Sequence, residues 1–185
     1  MSKGVASLFL TSRAFLVGWA LVLLFLFAQA FPVLLGVAQA AFTIALFALL
    51  GDLFALYRIR QGISGQRSTL EKWSNGDENP VTITIRNHYP IDVSLRVLDE
   101  LPEQFQKRDF AFQGSVAAGS AVQYPYAVRP LERGVYRYGA INVFASTRLG
   151  LVERRYALEN AKEVAVYPSY LHLRRYELMA ISDRL

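Results

Sequence analysis

The chain has 185 residues, 53% of them hydrophobic, no cysteine and a formal net charge of +5. That length allows one or two small domains, and the missing cysteine excludes disulfides and thiolate metal sites. The apolar residues are segregated: Asp52 is the only ionisable side chain in residues 14–56, whereas charges recur every few residues after Tyr57.

A membrane-spanning helix needs about 20 apolar residues at 1.5 Å each. Residues 14–31 supply one run and residues 33–57 a second. Pro32 separates them, because proline lacks an N–H and disfavours helix for the residue before it. The two helices are therefore expected to pack antiparallel across a very short turn. Gly36, Ala38, Ala40, Ala41 and Ala45 are small enough for close helix approach. Trp19 reads as packing or lipid-facing. Asp52 reads as an interfacial carboxylate near the helix end, about two turns from Arg58, rather than as an intramembrane functional acid.

Lys3 and Arg13 precede the first run, Arg58, Arg60, Arg67 and Lys72 follow the second, and the connector has no cation. By the positive-inside rule both ends face the cytoplasm, and the basic residues mark topology and anionic-lipid contact. A rival reading makes residues 1–30 a cleaved signal peptide with Ala28-Gln29-Ala30 as the cleavage site. The second helix would then still return the chain to the cytoplasm.

The soluble part is expected to begin with a short strand within residues 63–73, then an Asn75-Gly76 turn. Val81-Thr82-Ile83-Thr84-Ile85-Arg86 alternates with period two, as a half-buried strand does. Asn87-His88-Tyr89-Pro90 reads as a turn, and Val93, Leu95 and Val97 form the buried face of the next strand. Residues 101–107 read as a loop or single turn. Further strands are expected over 108–112, 121–129, 134–145, 151–158 and 163–167, with Gly114, Gly119, Pro130, Gly134, Gly150 and Pro168 as turn residues. Short strands at this spacing suggest an immunoglobulin-like sandwich. In the tail, Leu171, Leu178 and Leu185 recur every seven residues, the mark of an amphipathic helix. The expected fold is thus a membrane α-helical hairpin (1–62), an all-β immunoglobulin-like sandwich (63–168) and a C-terminal amphipathic helix (169–185) leading towards a further domain.

The search for chemistry yields no catalytic, cofactor-binding or metal-ligating residue. His88 and His172 have no ligand partners at metal-site spacing, and no phosphate loop or nucleophile elbow is present. Asp99, Glu100 and Glu103 form the most acidic segment. Such carboxylates can bind a divalent cation or act as acid and base, but a solvated loop explains them more simply. Arg133-Gly134-Val135-Tyr136-Arg137-Tyr138 has the composition of a nucleic-acid contact. In a strand, however, Tyr136 and Tyr138 share one face and Val135 and Arg137 the other, so a packed sandwich strand accounts for it. The charge likewise sits beside the apolar block, without a basic helix or aromatic platform, so no nucleic-acid partner is expected.

Asn79-Pro80-Val81-Thr82-Ile83, Leu98-Asp99-Glu100-Leu101-Pro102, Pro130-Leu131-Glu132-Arg133-Gly134-Val135-Tyr136, Leu149-Gly150-Leu151-Val152-Glu153-Arg154 and Val166-Tyr167-Pro168 occur in this order behind the hairpin. The series resembles the N-terminal part of the bacterial family called domain of unknown function 58. Thr147-Arg148 departs from it where many members carry a proline before the Leu-Gly-Leu turn. The resemblance implies two membrane helices, an immunoglobulin-like region and then a von Willebrand factor type A-like domain, which this sequence lacks. It also implies work beside a MoxR-type AAA+ ATPase, and it carries no functional residue over to this chain. Two functions follow as expectations. One is a non-catalytic scaffold at the bacterial inner membrane, with the lipid bilayer and a protein as partners and its soluble domain cytoplasmic. The alternative is an envelope-facing hydrolase using the acidic loop around Asp99.

Overall fold

The computed structural model describes residues 8–107, 110–158 and 161–168. A short strand, β1 (Leu8–Leu10), leads into helix α1 (Ser12–Ala30) and helix α2 (Val33–Tyr57). The Thr11 hydroxyl starts α1 by accepting from the Ala14 amide at 3.3 Å, an N-cap bond. Phe31 and Pro32 form the whole connection, as the proline requires. At 1.5 Å per residue the helices are about 28 and 37 Å long, enough to cross a hydrocarbon core of about 30 Å.

The hairpin is apolar on all sides. Leu16, Trp19 and Phe47 are each more than two-thirds exposed, so these are not the buried helices of a soluble core. A helix that is hydrophobic all round needs an apolar surrounding. Ala38 is fully buried, as a small residue at the helix contact should be, and Phe25 meets Phe42 edge-on at 6.4 Å. Gly36, in contrast, faces open space.

Ten strands follow: β2 (Ile63–Thr69), β3 (Lys72–Ser74), β4 (Asn79–Asn87), β5 (Val93–Asp99), β6 (Ala111–Val116), β7 (Ala121–Val128), β8 (Gly134–Tyr138), β9 (Ile141–Ser146), β10 (Val152–Leu158) and β11 (Lys162–Tyr167). They form a five-stranded sheet β1-β10-β9-β5-β6, a three-stranded sheet β2-β4-β7 and a three-stranded sheet β3-β11-β8. All pairings are antiparallel except β3 with β11.

Period-two alternation builds the larger core. Ile83 and Ile85 of β4 face Val93, Leu95 and Val97 of β5 and Ile141 and Val143 of β9. A second cluster gathers Trp73, Val81, Val128, Tyr136, Tyr138, Val164 and Val166, with Trp73 edge-on to both tyrosines. Tyr136 and Tyr138 are buried while Val135 and Arg137 are exposed, as the alternation in β8 required. Pro125 lies in β7, an edge strand of its sheet, where a missing N–H is tolerated.

Four local expectations change. β1 was not foreseen; it pairs with β10, so the chain contributes a sandwich strand before its first helix. β6 runs over Ala111–Val116 rather than 108–112, and Gly114 is a strand residue: a Cβ there would sit 2.9 Å from the Tyr124 hydroxyl. Residues 134–145 are two strands, because Glu100 intervenes. Its carbonyl accepts from the Gly139 amide at 3.0 Å and its carboxylate from the Ala140 amide at 3.0 Å. β8 then joins β11 while β9 joins β5 and β10. The fourth concerns α2, read above as a membrane span throughout. Leu49, Leu53, Leu56 and Tyr57 on its final turns pack against the sandwich core. The tail helix expected over 169–185 lies outside the described residues.

Candidate functional site

The hairpin and the sandwich meet at one densely bonded junction. Asp52, the lone acid of the apolar block, is buried there. One carboxylate oxygen accepts from the Thr147 hydroxyl; the other accepts from the Leu151 and Val152 amides at 2.8 and 2.9 Å. Those donors belong to the β9–β10 turn, which Gly150 closes at φ +63°, a backbone state that favours glycine. Charge-assisted bonds of this kind contribute about 1.5–3 kcal/mol each. Asp52, expected from sequence at the edge of the membrane near Arg58, is instead buried against the sandwich, where one hydroxyl and two backbone amides donate to it.

The sandwich answers at the end of the same helix. Arg154 donates to the carbonyls of Leu56, Ile59 and Arg60 at 2.5, 2.7 and 2.8 Å, and its guanidinium lies over the rings of Tyr57 and Tyr156, 4.7 Å from the centroid of each. A cation over terminal carbonyls satisfies orphan acceptors and opposes the negative helix end. Tyr89 is almost fully buried and donates to the Leu56 carbonyl at 2.7 Å. Its hydroxyl also bonds to that of Tyr156, whose own pKa is raised by burial and then by this bond.

The other leg of the hairpin is held at the same turn. The Thr11 hydroxyl donates to the Gly150 carbonyl at 2.5 Å, its amide donates to the Leu151 carbonyl at 3.1 Å, and Arg13 donates to the Leu149 carbonyl at 3.4 Å. Both helix ends are therefore fastened to residues 147–152. The Phe31–Pro32 turn lies at the far end of the hairpin.

The acidic segment, expected as a solvated loop, is not one at Asp99, which ends β5 facing the core. Asp99 is buried, paired with Arg67, and accepts from the Tyr126 hydroxyl at 2.5 Å. Arg67 also lies over the Tyr138 ring at 4.0 Å. Arg67 is accordingly a core ion-pair partner rather than a lipid-contacting cation; β2 carries it inward on the same face as Ile63. Burial, then Asp99, push the Tyr126 hydroxyl upward, and burial pushes Tyr138 up to about 12. Glu100 accepts from the Asn142 side chain at 2.6 Å as well as from Ala140. Glu103 begins a single 3-10 turn and does not join the Asp99 cluster. His88 bonds to the Ser64 hydroxyl at 2.7 Å, and His172 lies outside the described residues. Among the described residues no three His, Asp or Glu side chains are grouped to hold a metal.

Sequence reasoning missed Thr11, Tyr89, Thr147 and Arg154. Only Tyr89 and Arg154 carried a signal, as a large aromatic in a turn and a cation on an inward strand position.

No family model and no curated protein matches the chain. Among solved structures it is similar to the CARDB domain of a Pyrococcus furiosus protein in complex with di-metal ions. The identity is 12% over 58% of this chain and 94% of that chain, with a TM-score of 0.39. It is also similar to a PapD-like domain of human CEP192, at 12% identity over 58% and 87%, with a TM-score of 0.42. A third similarity is to the PKD domain of a peptidase from a Thermoplasmatales archaeon, at 13% identity over 57% and 93%, with a TM-score of 0.34.

Proposed function

We propose that this chain is a non-catalytic, membrane-anchored interaction module, with its β-sandwich mounted on the cytoplasmic face of a bacterial inner membrane. One observation carries the reading: a two-helix hairpin exposes large apolar side chains on all sides while both its ends are bonded to a single turn of the sandwich. An apolar surface of that extent is stable in lipid and not in water. The ends share one side, so the flanking cations set the orientation together. Arg13, Arg58 and Arg60 lie at the sandwich end, and the Phe31–Pro32 turn has none, which favours a cytoplasmic sandwich.

The non-catalytic part of the reading is supported by the carboxylates of Asp99 and Glu100, which are occupied by Arg67, Tyr126, Asn142 and Ala140. A hydrolase in the envelope would need a free carboxylate on the opposite side of the membrane. The resemblance to domain of unknown function 58 makes a MoxR-type AAA+ ATPase the partner to test first.

An Ala118→Cys variant places a thiol on the exposed β6–β7 turn. In intact cells it should resist a membrane-impermeant maleimide and react only after lysis. Labelling in intact cells overturns the cytoplasmic orientation and returns the hydrolase reading to the front. For the partner, the membrane-extracted chain should retain a MoxR-type ATPase through affinity purification, and the Asp52→Ala variant should retain less of it.

A further inference from the structure

The outer face of the five-stranded sheet carries a groove of about 900 Å³ at its hairpin end. Strand register defines its floor. Ser146 of β9 pairs with Ser94 of β5, and Ser94 pairs with Ser115 of β6, so three hydroxyl-bearing residues cross the sheet in one row. Arg96 occupies the next outward row, two residues along β5. Arg13, at the start of α1, and Arg148, in the β9–β10 turn, also line the groove.

Charge is unbalanced in this groove. Its single acid among the described residues, Glu153, is paired with Arg96 at 3.0 Å. Among the described residues Arg13 makes one long bond, to the Leu149 carbonyl, and Arg148 is exposed. Two guanidinium groups with no acid paired to them among the described residues, beside a row of hydroxyls, form a donor array suited to a phosphate, whose oxygens accept paired N–H bonds.

A second hollow, of about 500 Å³, opens between the bases of the two helices and is almost wholly apolar. Ala14, Trp19, Ala45, Leu49 and Leu151 contribute to its wall. Leu10 lines both hollows, so the polar groove and the apolar one adjoin at the end of β1. Ala14 starts the apolar run one residue after Arg13, which puts the arginines at headgroup depth.

We propose that this paired groove holds one anionic phospholipid, its phosphate between Arg13, Arg148 and the serine row and an acyl chain in the hollow between α1 and α2. The proposal rests on the membrane-anchored reading above. A free phosphate would use the polar groove alone; the adjoining apolar hollow is what selects a lipid.

The test uses the whole chain released from detergent in native mass spectrometry, offered phosphatidylglycerol or phosphatidylcholine with identical acyl chains. The expected result is one retained phosphatidylglycerol and at least tenfold less phosphatidylcholine. Arg13→Gln combined with Arg148→Gln should abolish that preference. Ala45→Phe, which fills the hollow without touching charge, should lower retention of phosphatidylglycerol by at least tenfold. Equal retention of the two lipids, or unchanged retention in both variants, overturns the proposal. So does displacement of the lipid by glycerol 3-phosphate at equal concentration, which assigns the groove to a soluble phosphate. Flotation with liposomes separates the two readings. A chain that floats but holds no phosphatidylglycerol overturns the lipid site alone, and a chain that does not float overturns both.

Discussion

Asp52→Ala is the most direct perturbation of the junction. It removes both acceptor oxygens and leaves the Leu151 and Val152 amides and the Thr147 hydroxyl facing a buried space. Two amide bonds to a carboxylate are worth about 3–6 kcal/mol, and a hydroxyl adds to that. Water entering the shortened site recovers part of it, so the net loss should lie at the lower end, about 3 kcal/mol. Amide hydrogen exchange reads this loss locally. If these amides open by local fluctuation, a loss of about 3 kcal/mol speeds their exchange on the order of 100-fold. Amides in the second cluster, such as Val164 and Val166, should keep their protection. Asp52→Asn retains one acceptor oxygen and should fall between the parent and the alanine variant. Unchanged exchange at Leu151 and Val152 in Asp52→Ala would show that apolar packing of Leu49, Leu53 and Leu56 alone seats the helix, and the bonding argument would be refuted.

Three further outcomes are expected. Arg67→Met leaves the Asp99 charge buried without its cation and should cost about 3–5 kcal/mol in denaturant unfolding. The double variant Arg67→Met/Asp99→Leu should regain most of this. Gly62→Ala drives a Cβ into the Tyr89 ring; the clamp on α2 should loosen, at about 1–3 kcal/mol for overpacking, seen as a lower midpoint of thermal unfolding. At alkaline pH the tyrosines decide stability. Tyr138 titrates near 10 when unfolded and at about 12 when folded, and Tyr126 and Tyr156 are also raised. The folded state therefore binds the extra proton, and the stability that Tyr138 contributes is complete below pH 10 and lost as pH rises to about 12. Tyrosinate absorbance from these residues should appear together with unfolding; its appearance in an intact fold would contradict the burial argument.

The sequence exposes what depends on local pattern. Two apolar runs and Pro32 place α1 and α2 within two residues of their observed limits, since a continuous apolar composition and a proline break are local signals. Alternation in residues 81–86 and 93–98 likewise marks β4 and β5, whose buried and outward faces follow from it. The junction was not legible. Asp52 finds its partners 95 to 100 positions later in the chain, and nothing near it in sequence advertises them. Arg67 looked like one of a basic group flanking the membrane because charge was read by position. Strand direction carries it into the core instead, where Asp99 compensates it. Leu8–Leu10 hid for the opposite reason: three apolar residues beside a long apolar run give no separate period. The Gly139–Ala140 break was invisible because it depends on where Glu100 reaches.

Five residues separate the end of α2 from the start of β2, and Arg154 grips the carbonyls of two of them. That stretch cannot act as a swivel. On the membrane-anchored reading proposed above, the sandwich therefore has a fixed bearing relative to the bilayer normal and always presents the same flank to molecules moving in the membrane plane. A ligand on that flank is met by two-dimensional diffusion in a preset attitude, without the orientational search a tethered domain would undergo. By the same coupling, any tilt imposed on the hairpin by bilayer thickness is transmitted to the sandwich as a rigid rotation.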